Sequence, residues 1–163
     1  MKEFSFTLPI AAAPQAVWPF LVDVQAWPNW TSTMESVTPV ARDRSGQPDL
    51  APLAVGSQYK IRQPQLAPAT WTVTELNSAG FHFAWTTKSF GVTLRAAHTL
   101  APARNGCTLT LTFAFNGLLA PIFARVFGKI TQEYMETEAR GLKQRCEGPQ
   151  PPAPSSGPVS NPA

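Results

Sequence analysis

The stretch Cys107-Thr108-Leu109-Thr110-Leu111-Thr112-Phe113-Ala114-Phe115 alternates without a break. Cys107, Leu109, Leu111, Phe113 and Phe115 fall on one side of an extended chain, and Thr108, Thr110, Thr112 and Ala114 on the other. Successive strand side chains point to opposite faces. The segment therefore reads as a long antiparallel strand with one apolar face and one face of water-tolerant threonines. The residues before it repeat the scheme, with Val92, Leu94, Ala96, His98 and Leu100 on one face and Thr93, Arg95, Ala97 and Thr99 on the other. Pro102-Ala103-Arg104-Asn105-Gly106 between them is expected to be a hairpin loop, with Asn-Gly as its turn signal.

The same period continues towards the N-terminus. Phe81, Phe83 and Trp85 alternate with His82, Ala84 and Thr86, and Trp71 and Val73 with Thr70, Thr72 and Thr74. Asn77-Ser78-Ala79-Gly80 supplies a second hairpin turn. Val55, Ser57, Tyr59 and Ile61 alternate with Gln58, Lys60 and Arg62; Val37 to Arg42 is a weaker candidate, and Phe4 to Leu8 a clean first strand. About seven strands result, forming an antiparallel meander from Val55 onward.

Helical spacing occurs in two places. Pro14 suits a first helical position, and Val17, Trp18, Leu21 and Val22 follow as a one-sided stripe. Pro19 is expected within or near the first turn, where its missing N–H matters least. Asp23 is placed to cap a second short helix that Pro28 limits. The other helix runs from about Leu119 to Cys146, with Leu119, Ile122, Phe123, Val126, Phe127, Ile130, Tyr134 and Leu142 as its apolar stripe. The fold class is α+β: a seven-stranded antiparallel sheet wrapped around one long C-terminal helix, with two short helices between strands 1 and 2. Such a wrap leaves space between sheet and helix.

Composition removes several function classes. Only 14% of the 163 residues are charged, against roughly 25% in an average domain. A net charge of +3 is too weak for a nucleic-acid footprint. No apolar run approaches the roughly 18 residues of a membrane helix. The start Met1-Lys2-Glu3-Phe4 carries an acid where a secretion signal needs positive charge, so a cytoplasmic protein is expected, as monomer or homodimer. Cys107 and Cys146 make neither a disulfide framework nor a four-ligand zinc site, and neither metal nor cofactor is expected. Residues 148–163 contain six Pro and three Ser and read as a disordered tail, solvated or presenting an extended ligand to a Pro-binding domain.

Read in order, Ala13-Pro14-Gln15-Ala16-Val17-Trp18, Leu21-Val22-Asp23, Trp27-Pro28-Asn29-Trp30, Val55-Gly56, Trp71-Thr72-Val73 and Phe83-Ala84-Trp85 form a familiar set. His98, Asn116-Gly117, Glu138 and Gly141-Leu142-Lys143 continue it. Across residues 2–147 the chain resembles the polyketide cyclase/dehydrase-like proteins of the START-like (SRPBCC) helix-grip superfamily, which includes the birch pollen allergens. The resemblance implies that residues 1–147 enclose a cavity. It is weaker for function, because that superfamily spans lipid transfer, hormone binding and cyclisation.

The candidate ligand-binding residues are Tyr59, Trp71, Phe83, Trp85, Phe113 and Phe115 from the sheet, Phe123, Phe127 and Tyr134 from the helix, and Trp30 from a lid-like Trp27-Pro28-Asn29-Trp30 segment. Each also reads as ordinary core, and the Trp pair also as an anchor of the short helices. His98 is the one ionisable group in its inward row, suited to orienting a ligand, to serving as general base, or to a satisfied core position. Glu138 lies one turn beyond Tyr134 and is read as a capping or ion-pair residue. Glu75 is expected on the face of Trp71 and Val73 at a solvated strand end, and His82 faces outward. No activated Ser or Cys motif, HExxH helix or phosphate-binding glycine run is present. A void of about 300 Å³ would cost about 7 kcal/mol at roughly 24 cal/mol per Å³, close to a whole domain's net stability, so a cavity must be filled or covered by mobile elements. The expected function is binding of a small or medium hydrophobic molecule such as a lipid, isoprenoid or polyketide. The alternative is a cyclase or dehydratase using His98 as acid/base.

Overall fold

The computed structural model describes residues 1–41, 46 and 51–148. Seven strands form one antiparallel sheet: β1 (Lys2–Ile10), β2 (Ser36–Pro39), β3 (Gln58–Arg62), β4 (Ala69–Asn77), β5 (His82–Ser89), β6 (Val92–Ala103) and β7 (Gly106–Asn116). Their order is β1-β7-β6-β5-β4-β3-β2, a meander from β2 to β7 completed by β1, which pairs with β7 from Lys2↔Phe115 to Ile10↔Cys107. Two helices complete the described fold, α1 (Pro14–Val22) and α2 (Ala120–Glu147), with a 3-10 helix at Val24–Asn29. This is the expected helix-grip arrangement.

The alternation that defines the strands also defines the core. Tyr59, Ile61, Trp71, Val73, Phe83, Trp85, Leu100, Leu109 and Leu111 are buried on the inner face. One irregularity changes a residue's side. The β4–β5 register passes from Val73↔Trp85 to Glu75↔Ala84, a bulge that inserts one residue and reverses the alternation beyond it. Leu76 thereby returns to the core opposite Phe83, and Glu75 moves to the outer face rather than sharing that of Trp71 and Val73. There its carboxylate accepts from Arg95 at 2.8 Å and lies 3.2 Å from His82 Nε2. The Arg95 bond holds the Glu75 carboxyl below its usual range.

Several boundaries differ from those the pattern predicts. β6 and β7 stay paired to Ala103↔Gly106, so the five-residue loop contracts to Arg104-Asn105. Phe81 is a turn residue at φ 49°, and its ring meets Trp18 edge-on at 5.9 Å instead of opening a strand. Val55 is exposed in the turn before β3. β2 spans Ser36–Pro39, and the Arg42 end of the predicted strand lies outside the described residues, as do residues 149–163 of the tail. Pro19 is deeper in α1 than its first turn, with the helix ending at Val22. Asp23 occupies the cap position of the 3-10 helix, but its side chain makes no capping bond.

The long helix departs most from its pattern. Ile122 and Val126 are 60% and 65% exposed, and Leu119 and Phe127 are also exposed. The face turned to the sheet consists of Ala120, Ala124, Gly128, Met135, Glu138, Ala139 and Leu142. Small residues let the N-terminal half lie directly on the sheet: a Cβ on Gly128 would stand 2.8 Å from Phe4 Cζ. The sheet supplies the bulk there, so the helix cannot. The C-terminal half is tied down by Lys143, which donates to the Pro9 carbonyl at 2.8 Å, and by Glu147, which accepts from the Ala11 N–H at 2.6 Å.

Candidate functional site

Halfway along α2 the small-residue face gives way to Met135 and Glu138, and a cavity lies between helix and sheet. Glu138 Oε1 lies 2.9 Å from His98 Nε2 on β6, and both groups are buried. The imidazole stacks flat on Phe83, with centroids 4.5 Å apart and planes 8° apart, and Trp27 and Trp85 meet it edge-on. Its position is thus fixed by three rings and one carboxylate. His98 Nδ1 is buried with no protein partner. In the neutral ring Nε2–H donates to the carboxylate, leaving Nδ1 as an acceptor; in the protonated ring Nδ1–H becomes a donor. The free ring nitrogen can therefore hydrogen-bond a polar atom in either sense.

His98 and Glu138 line a cavity of about 90 Å³ between the sheet and α2. Trp85, Leu111, Phe113 and Met135 give it mostly apolar walls, and Gln63 and Leu66, from the segment after β3, close one side. Tyr134 Oη donates to the Pro64 carbonyl and so ties that segment to the helix. Burial, aided by the Glu35 charge, raises the Tyr134 phenol above its ordinary range. A volume of this size holds a few water molecules, while ligand pockets begin near 300 Å³.

Of the residues singled out from the sequence, Trp85, His98, Phe113 and Tyr134 line this cavity. Phe83 and Trp71 stand behind it, Phe83 against His98 and Trp71 against Trp85 at 5.7 Å. Phe115 belongs to a smaller cluster with Val92, Ala120 and Ala124, against which Phe123 packs; Phe127 is exposed. Tyr59 lines a separate depression of about 250 Å³ beside Asp23 and Leu53. Trp30 lines an open groove of about 560 Å³ with Asn29, Gly141 and Arg145. Trp27 acts as the anchor of its segment: it is fully buried and donates from Nε1 to the Leu21 carbonyl at 3.1 Å.

Met34, Gln63, Leu66, Thr131 and Met135 also line the cavity, beyond the residues singled out from the sequence. Met34, Gln63 and Leu66 sit between regular elements, where no period marks a facing direction. Leu111 and Ala96 carried the signal, as members of inward rows. Glu138 carried it too, but its partner is 40 residues away. Among the described residues no group of three or more His, Cys, Asp or Glu is arranged to hold a metal.

The family model for polyketide cyclase/dehydrase and lipid transport matches residues 1–147. The chain belongs to this family. Solved structures share the fold of this family member at low identity. A START superfamily protein from Mycobacterium smegmatis is 18% identical with a TM-score of 0.65, covering 89% of this chain and 97% of its own. A protein from Thermobifida fusca is 17% identical with a TM-score of 0.72, covering 90% and 93%. Norcoclaurine synthase from Thalictrum flavum, in complex with dopamine and hydroxybenzaldehyde, is 12% identical with a TM-score of 0.65, covering 88% and 84%. At these identities the likeness concerns the fold. No curated protein matches the chain in sequence.

Proposed function

We propose that this family member binds a small or medium apolar molecule bearing one hydrogen-bonding group, of the lipid, isoprenoid or polyketide kind, between the sheet and α2. The observation that carries this reading is a mostly apolar cavity whose buried His–Glu pair leaves one imidazole nitrogen without a protein partner. An unsatisfied buried polar atom is costly, and a ligand oxygen supplies what it lacks. Because the cavity measures about 90 Å³, entry requires the segment at Gln63–Leu66 to part from α2, breaking the Tyr134–Pro64 hydrogen bond. The test is native mass spectrometry of the purified protein, followed by a thermal-shift panel of lipids, isoprenoids and aromatic polyketides. A ligand at a hundred times its dissociation constant adds about 2.7 kcal/mol, or roughly 5–10 °C for a chain of this size. No bound species and no shift across the panel would reject the reading.

A second reading, a cyclase or dehydratase, is favoured by one detail. The Glu138 carboxylate on Nε2 orients the imidazole and fixes its tautomer, the relation by which a carboxylate supports a general base. His98 would then take a proton at Nδ1 from a carbon acid beside a carbonyl. Unchanged turnover of a candidate substrate by His98→Ala would eliminate this role.

A further inference from the structure

The outward stripe of α2 belongs to a larger apolar end of the molecule. Phe90, at the tip of the β5–β6 hairpin, is 85% exposed, and Leu118, just before α2, is 94% exposed. Thr93 pairs with Asn116, and a Cβ on Gly117 would lie 2.8 Å from the Gly91 carbonyl oxygen, so the hairpin tip abuts the start of the helix. Ile122, Val126 and Phe127 extend the same end along α2.

Phe90 is the residue that folding does not explain. Ser89 pairs with Val92, leaving Phe90-Gly91 as a two-residue turn with φ of 47° and 76°. Such a turn suits Asn, Asp or Gly at its first position. A bulky aromatic there is strained, and this one gains no packing in return. The charges around it are mainly of one sign. Lys88, Arg125 and Lys129 are exposed beside the apolar residues, and Lys2 is exposed at the paired end of β1 opposite Phe115. Of the acids nearby, Glu133 lies one turn further along and faces Lys129 at 3.8 Å, and Glu3 is on the opposite side of β1 from Phe4.

We propose that this end docks on an anionic lipid surface, with Phe90 and Leu118 entering the headgroup boundary and Lys88 and Arg125 meeting lipid phosphates. Apolar side chains ringed by Lys and Arg are what such surfaces retain. A second copy of the chain is a poorer occupant: two-fold pairing sets the patch against itself and brings its basic residues together. The proposal does not depend on what the cavity binds.

Flotation of the full chain with phosphatidylglycerol–phosphatidylcholine vesicles, and with phosphatidylcholine vesicles alone, tests it. The parent chain is expected to float with the mixed vesicles, to be released by added salt, and to remain in solution with phosphatidylcholine alone. The double variant Phe90→Asn/Leu118→Ser is expected to lose about tenfold or more in partitioning while melting no lower, because Asn fits the turn. Arg125→Gln, a change at an exposed helical position, is expected to lose about fivefold. Failure of the parent to float with either vesicle, or equal flotation of parent and double variant, overturns the proposal. So does a parent dimer, seen by ultracentrifugation without lipid, that the double variant dissolves, since that assigns the patch to a second copy.

Discussion

His98 and Glu138, 40 residues apart in sequence, meet at 2.9 Å in the interior and form a buried hydrogen bond between β6 and α2. Removing one partner leaves the other buried without its hydrogen bond, at a cost of about 1–3 kcal/mol, and more where the orphan is charged. Glu138→Leu and His98→Leu are each expected to lose that much in urea unfolding. The double variant is expected to lose clearly less than their sum, because apolar replacement of both partners is often neutral or better. Additive losses would show that the contact is not an energetic unit.

The cavity makes its own prediction. At roughly 24 cal/mol per Å³, a space of about 90 Å³ forgoes at most about 2 kcal/mol of packing, and less where water fills it. Ala96 lines it on β6, so Ala96→Leu is expected to fill it, raise stability by about 1 kcal/mol and abolish any ligand-induced thermal shift. Lower stability together with an intact shift would place the ligand elsewhere.

Burial pushes the Cys146 thiol, near the end of α2, up to about 11. Its folded value thus lies above its unfolded one of about 9. Below pH 9 both states keep the proton and stability is unaffected. Between about pH 9 and 11 only the unfolded state releases it, so stability falls as pH rises. Urea midpoints measured near pH 8 and near pH 10.5 are expected to diverge more for the parent than for Cys146→Ala. Identical divergence would mean that the thiol does not contribute.

Gly141 is required by close approach. A Cβ there would sit 2.3 Å from the Trp30 carbonyl oxygen and 3.5 Å from Thr31 Cα. Alanine is the better helix former by about 1 kcal/mol, yet Gly141→Ala is expected to destabilise by about 2 kcal/mol or more, because rigid backbone must move. Thermal unfolding checks the sign: a stabilised variant would show that the 3-10 helix region yields freely.

Trp85, His98, Phe113 and Tyr134, the predicted ligand-binding residues that line the cavity, were legible because strand or helix period assigns each a side. Glu75 was misplaced because a single inserted residue at the β4 bulge reverses parity, and no composition signal marks it. The N-terminal half of α2 was misread for a different reason. Its large and small residues each form a stripe at helical spacing, and periodicity alone does not say which stripe the sheet accepts. The sheet already carries Phe4, Phe113 and Phe115 at that place, leaving room for Ala120, Ala124 and Gly128.

By itself, the sequence determined the seven strands, their inner faces up to the β4 bulge, the helix order and the family, because these rest on local backbone geometry and on motifs read in order. Tertiary structure decided which stripe of α2 is buried, that Glu138 is the partner of His98, and how little space remains between helix and sheet. Those outcomes depend on how closely two surfaces approach, and that distance is set by side chains far apart in the chain.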